Sequence, residues 1–191
     1  SSEEPWRKTV DQRILSAIQQ AKQNTFKAYF QAAESQIQLG YNRLVQRGNY
    51  AETHFENPDR IPYGQVDRQV GVIRVTDETQ QVRAVLVNYA CHPVVLGPRN
   101  RHISADYPGV VRQLVEQEIG NDCLCIFIQA GGGDINPLLM ARGDSRDHDF
   151  AIVEKMGQLL ATEVSRALTF IQAVPGVSNT FVSSSSQSTF R

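Results

Sequence analysis

Apolar residues recur at three- and four-residue steps in three stretches of the chain, which is the pattern of amphipathic helices. The spacing predicts helices from Trp6 to about Ala33, over Tyr107–Ile119 and over Phe150–Phe170. Pro108 suits the first turn of the second helix, and Gly120 suits its end. The apolar positions of the three helices are Ile14, Ala17, Ile18, Ala21 and Ala28; Val110, Val111, Leu114, Val115 and Ile119; and Ile152, Val153, Met156, Leu159, Leu160, Val164 and Leu168.

Shorter apolar runs between these helices predict β-strands. Val70–Val75 and Val82–Tyr89 flank a short polar turn and predict a hairpin, although that turn lacks glycine. Cys123–Ile128 is nearly all apolar, as expected for a strand buried on both faces. Ser35–Leu39 alternates weakly and predicts a short strand, and the polar residues 46–67 predict a long loop. Strands that alternate with helices indicate an α/β fold with a mixed β-sheet, a β-hairpin and helices flanking the faces of the sheet.

Two of the predicted strands lead into residues that can do chemistry. The strand Val82–Tyr89 leads into His92, and the proline that follows this histidine cannot continue a strand ladder and disfavours a helical backbone before it. The strand Cys123–Ile128 leads into three glycines and Asp134. The helix between the two strands should return the chain parallel, by a right-handed crossover. Because parallel strands end at the same sheet edge, where ligands bind in open α/β sheets, we expect both loops to line one cleft.

The composition excludes some classes of protein but does not identify a function. The chain has 191 residues, of which 41% are hydrophobic and 20% charged, as in ordinary globular proteins. The net charge of −1 provides no field that would attract nucleic acid or an anionic membrane surface. No window approaches the ~20 apolar residues of a transmembrane segment. We expect one domain over residues 1–175, followed by a Ser-rich tail or edge strand over residues 176–191. The N-terminus has neither signal-peptide character nor an initiator methionine, so it does not reveal the compartment.

The three cysteines, Cys91, Cys123 and Cys125, do not form a recognisable framework. Their odd number argues against a disulfide scaffold, and their spacing matches no zinc-finger pattern. Buried free thiols are one interpretation, and a metal-binding pair of Cys91 and His92 is the other.

His92 and Asp106 each have a structural and a functional interpretation. His92 either caps its strand by hydrogen bonding or binds a metal, since neutral imidazole is the commonest metal ligand. Asp106 precedes the second predicted helix, where it either caps the helix N-terminus or fixes the tautomer of a metal-bound histidine.

The glycine run Gly131, Gly132 and Gly133 is the third candidate element. Glycines permit positive φ values and close approach of the backbone to a ligand, and their N–H groups can form an anion nest or oxyanion hole. A flexible turn is the alternative. Asp134 either binds a metal or hydroxyl group or holds the turn. The run lacks the Lys-Ser/Thr pair of a phosphate-binding loop, which argues against nucleotide binding. His54 and His148 have polar neighbours, and we expect both to be solvated.

The chain resembles the N-terminal catalytic domain of the neutral/alkaline non-lysosomal ceramidase family, and the shorter bacterial relatives most of all. Five pieces occur in the family's order. They are Asn42-Arg43; Val66-Asp67-Arg68 leading to Val70-Gly71-Val72; Asn88-Tyr89-Ala90-Cys91-His92-Pro93; Ile103-Ser104-Ala105-Asp106-Tyr107-Pro108-Gly109; and Gly133-Asp134-Ile135-Asn136-Pro137. The His-Pro and Gly-Asp-x-x-Pro pieces are weak alone, but the five together in order are fairly specific.

The resemblance implies a zinc-dependent hydrolase of the amide bond in N-acyl lipids, often an exported one. His92 would match a zinc-binding histidine, Asp106 and Asp134 would be catalytic, and Gly131–Gly133 would bind a small-molecule or lipid amide substrate. The family's other histidine ligand lies upstream, and its Glu and Tyr ligands lie downstream, in segments this chain lacks. We therefore expect a partial domain that needs flanking segments of its own domain.

One further departure from the family keeps a second class of function open. The family's ceramidases carry a serine three residues before the glycine of Gly-Asp-x-x-Pro, and this chain has Ala130 there. A serine nucleophile therefore cannot be assigned. The alternative to a hydrolase is a non-catalytic α/β binding module that retains the scaffold.

Overall fold

The computed structural model describes residues 3–120, 123–141 and 145–173. The elements in chain order are α1 (Glu3–Gln23), β1 (Tyr29–Gln36), β2 (Gly40–Asn42), β3 (Leu44–Arg47), β4 (Tyr50–Thr53), β5 (Gln69–Thr76), β6 (Val82–Tyr89), α2 (Asp106–Ile119), β7 (Leu124–Gln129), β8 (Ile135–Pro137) and α3 (Arg146–Ala173). The predicted α/β class is confirmed. The expected Ser-rich tail and the boundary at residue 175 lie outside the described residues.

A four-stranded mixed sheet with the order β1-β5-β6-β7 forms the centre of the fold. The pairs β1–β5 and β5–β6 are antiparallel, and β6–β7 is parallel. The β5–β6 pair confirms the predicted hairpin. Its turn is held by the Asp77 carboxylate, which accepts the N–H groups of Thr79 and Gln81 at 2.9 and 3.1 Å. The aspartate stabilises the turn by these bonds, and Gln80 adopts the positive φ, 65°, for which glycine is common in other hairpins.

The helices α2 and α3 pack together against one face of this sheet. Val70, Val72, Val85 and Val87 alternate along β5 and β6 and are fully buried in the core that the helices complete. At the sheet edge, the Ser35 hydroxyl donates to a carbonyl of α3 at 3.0 Å. Burial of this side of the sheet is the main stabilising contact between strands and helices. None of the described helices combines the length and the apolar character that a membrane crossing requires.

The opposite face of the sheet exposes large apolar side chains. Ile73 is 37% exposed, and Leu124, Ile126 and Ile128 of β7 are 50%, 41% and 40% exposed. The expectation that this strand is buried on both faces is therefore wrong for the described residues, because α2 and α3 cover only one side. Cys123 and Cys125 point to the covered side and are buried, and with Cys91 they are free thiols.

The first predicted helix is too long. Helix α1 ends at Gln23, residues 24–28 form a connection, and β1 begins at Tyr29 and replaces the strand predicted over Ser35–Leu39. Ala28, whose spacing extended the predicted helix, lies in this connection, and Ala33 of β1 packs against the core. The apolar stripe of α1 is also more open than expected, with Ile14 and Ile18 more than half exposed.

The stretch predicted as a loop over residues 46–67 contains a second hairpin. Strands β3 and β4 pair antiparallel through a turn at Gly48, which has a φ of +61°. These strands are polar and almost wholly exposed, so they lack the alternation by which a strand is recognised. The remaining residues, 54–67, connect this hairpin to β5 without a regular element.

Candidate functional site

The loops after β6 and β7 leave the same edge of the sheet. The parallel register places Tyr89 opposite Gln129, the last residue of each strand. One residue further, the Ala130 N–H donates to the Tyr89 carbonyl at 3.1 Å, so the two segments stay together as they leave the sheet. The predicted juxtaposition of His92 with the glycine run is therefore confirmed.

Gly132 is where the two loops come closest. A Cβ atom on this residue would lie 3.1 Å from the Cys91 backbone nitrogen and 2.8 Å from the Gln129 Nε2 atom. Gly132 is buried, whereas Gly131 and Gly133 are exposed with open space around their Cα atoms. None of the three has a positive φ, so the expectation of left-handed backbone here is wrong. Glycine is needed at 132 for space.

The expected anion nest is only partly available. The Gly132 N–H donates to the Ala130 carbonyl at 2.7 Å, and the Gly132 carbonyl accepts the Ile135 N–H at 3.0 Å. The backbone of Gly132 is thus engaged within the loop. The exposed residues Gly131 and Gly133 are the ones that can present backbone to a ligand.

Asn42 and Arg43 hold the glycine-rich loop from the other side. Strand β8, which follows the loop, pairs antiparallel with β2. The Asn42 side-chain amide donates to the Asp134 carboxylate at 2.7 Å, and the Arg43 N–H donates to the Asp134 carbonyl at 2.8 Å. The Arg43 guanidinium reaches further, donating to the Gly133 carbonyl at 3.0 Å and to the Asn136 side chain at 3.1 Å. These contacts fix the orientation of Asp134.

The part played by Asn42 and Arg43 was not predicted from the sequence. Their residue types and spacing do not single them out, and they lie about 90 residues from the loop along the chain. The only signal was their place among the pieces shared with a known family.

His92 lies half-buried on the wall of an apolar cavity. The cavity has a volume of about 460 Å³, and Pro93, Pro108, Phe127, Ala105 and Gln129 line it together with the histidine. The His92 N–H donates to the Ile135 carbonyl at 3.0 Å, and the His92 carbonyl accepts the Val94 N–H at 2.9 Å. Within the described ranges, no group hydrogen bonds to the imidazole, so strand capping by this side chain finds no partner there.

Asp106 is buried at the start of α2, where only 7% of its surface is exposed. One carboxylate oxygen accepts the Leu96 N–H at 3.2 Å and the other accepts the Tyr107 N–H at 2.8 Å. The N-cap position is Ala105, which makes no side-chain cap, so Asp106 stands one residue later and its carboxylate bonds the first-turn Tyr107 N–H from there. No hydrogen bond joins Asp106 to His92 in the described parts of the chain. Burial raises the pKa of Asp106 above its ordinary value, which its backbone hydrogen bonds only partly oppose.

His54 and His148 belong to other parts of the chain, although the His54 N–H donates to the Arg43 carbonyl at 2.7 Å. The His54 Nε2 atom lies 3.3 Å from the Glu52 carboxylate, and its ring lies 6.0 Å from that of Tyr63. His54 is thus half-buried on the second hairpin rather than solvated as expected. His148 is exposed, in agreement with the sequence.

A complete metal centre does not exist among the described residues. No group of three or more His, Cys, Asp and Glu side chains comes close enough there to hold a metal ion. Cys91 is fully buried, and burial raises the pKa of its thiol, which disfavours the thiolate that binds metals. The metal-binding pair of Cys91 and His92 is therefore unsupported. His92 remains as a single imidazole donor.

Two solved structures share this fold. The neutral ceramidase from Pseudomonas aeruginosa matches with a TM-score of 0.63 and 18% identity, over 83% of this chain and 25% of that chain. A ceramidase complexed with C2 matches with a TM-score of 0.58 and 17% identity, over 76% of this chain and 23% of that one. The fold is therefore that of part of a neutral ceramidase, and the chain spans about a quarter of the length of these proteins.

The family itself follows from the sequence comparison. Residues 2–156 match the family of neutral/alkaline non-lysosomal ceramidases, in its N-terminal part. The chain belongs to this family, as the five ordered pieces predicted. A comparison with curated proteins returned no match.

Proposed function

We propose that this chain forms part of a zinc-dependent hydrolase that cleaves the amide bond of N-acyl lipids, as a ceramidase does. The observation that carries the proposal is the meeting of His92 and the glycine-rich loop at one sheet edge, beside an apolar cavity. This edge combines a metal donor, backbone amides and an apolar surface, which amide hydrolysis of a lipid needs in one place.

Among the described residues, His92 fits one position of a zinc site. His92 is the one residue matched to a zinc ligand by the family resemblance, and the described residues contain no three-donor group. We propose that flanking segments of the domain supply the other ligands. Zinc, when bound, supplies a Lewis acid and a source of hydroxide at neutral pH.

The chain's own residues bind and orient the substrate. The exposed Gly131 and Gly133 can present N–H groups to the amide oxygen, on which negative charge develops during hydrolysis. Asn42 and Arg43 hold Asp134 at the end of the same loop. Its carboxylate can orient a hydroxyl group there, or accept and donate a proton. Ala130 has no hydroxyl group, so this position cannot supply a nucleophile.

The apolar cavity favours a substrate that contains an acyl chain. Apart from His92 and Gln129, its lining consists of two prolines, Phe127 and Ala105, which offer no charge to a polar head group. With His92 on its wall, the cavity can hold the acyl portion next to the amide bond. The substrate class is therefore an N-acyl lipid or a smaller N-acyl amide.

A non-catalytic binding module is the second candidate. Ala130 at the serine position and the single donor in this chain favour it. Such a module would use the same cavity to bind an apolar ligand without cleaving it.

An amidase assay on the full-length protein separates the two candidates. The substrates are N-acyl-sphingosine and short N-acyl amides, each assayed before and after treatment with a chelator. The hydrolase proposal expects turnover that the chelator abolishes and zinc restores. Binding of N-acyl-sphingosine without turnover, in a zinc-loaded protein, would establish the module instead.

A further inference from the structure

The peptide unit that joins Cys91 to His92 is held at both of its polar atoms. Its N–H, on His92, donates to the Ile135 carbonyl at 3.0 Å. Its carbonyl, on Cys91, accepts the hydroxyl of Tyr107 at 2.6 Å. Because a peptide unit is planar, two hydrogen bonds at its opposite sides fix the orientation of the whole plane. This plane sets the backbone angle at His92, and hence the direction in which the imidazole leaves the chain.

The Tyr107 side chain is itself rigidly placed. Tyr107 is fully buried, and its ring meets that of Phe127 edge to face, with the ring centroids 5.7 Å apart. Phe127 also lines the cavity beside His92. The hydroxyl group therefore reaches the Cys91 carbonyl from a ring that cannot easily turn away.

The first turn of α2 also holds the far end of the His92 loop. Asp106, next to Tyr107, accepts the Leu96 N–H at 3.2 Å. Asp106 has a φ of +53°, in the left-handed region that residues other than glycine rarely adopt. Such a conformation persists only where surrounding contacts impose it, and these hydrogen bonds are such contacts.

We propose that Tyr107 is a positioning residue for His92, acting through the peptide unit between Cys91 and His92. This inference rests on the proposed function in one respect, namely that His92 is a metal ligand. Ile135 supplies one hydrogen bond to the peptide unit from the start of β8, and Tyr107 supplies the other from α2. The Tyr107 hydroxyl thus couples the helix between the two strands to the direction of the imidazole.

The test compares Tyr107→Phe with Tyr89→Phe in the full-length protein. Both substitutions remove one buried hydroxyl and keep the ring. The Tyr89 hydroxyl donates to the Ile37 carbonyl at 3.1 Å and accepts the Leu39 N–H at 3.0 Å, so its loss leaves the His92 peptide untouched. Two quantities are measured: amide hydrogen exchange at His92 in the metal-free protein, and zinc affinity by competition with a chromophoric chelator.

We expect Tyr107→Phe to speed exchange at the His92 amide about tenfold, because one of the two bonds that hold its peptide is lost. Zinc affinity should fall about tenfold, as it does when supports of a metal ligand are removed. Tyr89→Phe should change neither quantity, although it also destabilises the fold. Equal effects of the two variants, or wild-type values in Tyr107→Phe, would overturn the inference. A wild-type protein that binds no zinc would refute the proposed function, and the exchange comparison would then decide the role of Tyr107 alone.

Discussion

At the scale of single residues, the candidate site depends on backbone contacts as much as on side chains. Gly132 lies against the Cys91 nitrogen, and the loop carrying His92 is bonded to the Ile135 carbonyl. Asp106 uses its carboxylate for two backbone N–H groups. These residues determine where the imidazole and the glycine-rich loop stand relative to each other.

Gly132→Ala should destabilise the protein by about 1–3 kcal/mol, because an added methyl group is forced against the Cys91 nitrogen. Gly131→Ala is the matched control. It lies in open space without a positive φ, so it should be neutral or stabilising by up to about 1 kcal/mol. Urea unfolding measures both values. Equal free energies of unfolding in the two variants would show that the close approach at Gly132 is wrong.

Asp106→Asn should alter how stability depends on pH. Burial raises the pKa of Asp106 in the folded protein, so the folded state takes up a proton more readily than the unfolded state. The wild type should therefore gain stability relative to the variant as pH falls through the folded pKa. The gain should be complete below the ordinary carboxyl range. Unfolding free energies measured from neutral to acidic pH check the sign, and a relative loss in the wild type would contradict it.

At the scale of elements, strong apolar patterns predicted structure and weak ones did not. The helices α2 and α3 and the β5–β6 hairpin follow from periodicity, because each buries one face against the core. The hairpin of β3 and β4 has no buried face, so its sequence carries no alternation to detect. The predicted range of the first helix was too long, because the spacing of alanines alone does not distinguish a helix from a strand.

The contact between α2 and α3 depends on Gly157. A Cβ on this residue would overlap the Val110 side chain and lie 3.2 Å from the Tyr107 carbonyl oxygen. Helix propensity alone predicts that Gly157→Ala gains about 1 kcal/mol. We expect instead a loss of about 1–3 kcal/mol, because packing outweighs propensity here.

Thermal unfolding of Gly157→Ala shows whether helix propensity or packing has the larger effect on stability. Gln158→Ala, on the exposed side of the same helix, is the control and should stay within about 0.5 kcal/mol of the wild type. A more stable Gly157→Ala protein would show that the helices are not in close contact at this point.

At the scale of the whole molecule, the sequence predicted the edge of the sheet where the site lies, but not how completely the sheet is covered. The placement of His92 beside the glycine run follows from parallel strand order, which periodicity and crossover rules predict. The exposure of the other face was not predicted, because the apolar sequence of β7 is compatible with helices on one face of the sheet or on both. The other ligands of the proposed zinc site were also beyond this sequence, because His92 is the one residue that the family resemblance matches to a ligand.

The open face can be tested by matched substitutions to threonine. Val85 is fully buried towards the helices, and Ile126 is 41% exposed on the other face. Val85→Thr should cost about 1–3 kcal/mol, because it buries a hydroxyl group in the core. Ile126→Thr keeps a β-branched side chain and should cost no more than about 0.5 kcal/mol. Equal losses in denaturant unfolding would show that both faces are covered.

The most direct test of the central claim is the zinc content and amidase turnover of the full-length protein carrying His92→Ala. The control is His102→Ala, which removes an exposed imidazole from the loop before α2. We predict that His92→Ala loses zinc and all turnover of N-acyl substrates, while His102→Ala keeps both. Wild-type zinc content and turnover in His92→Ala would contradict the account.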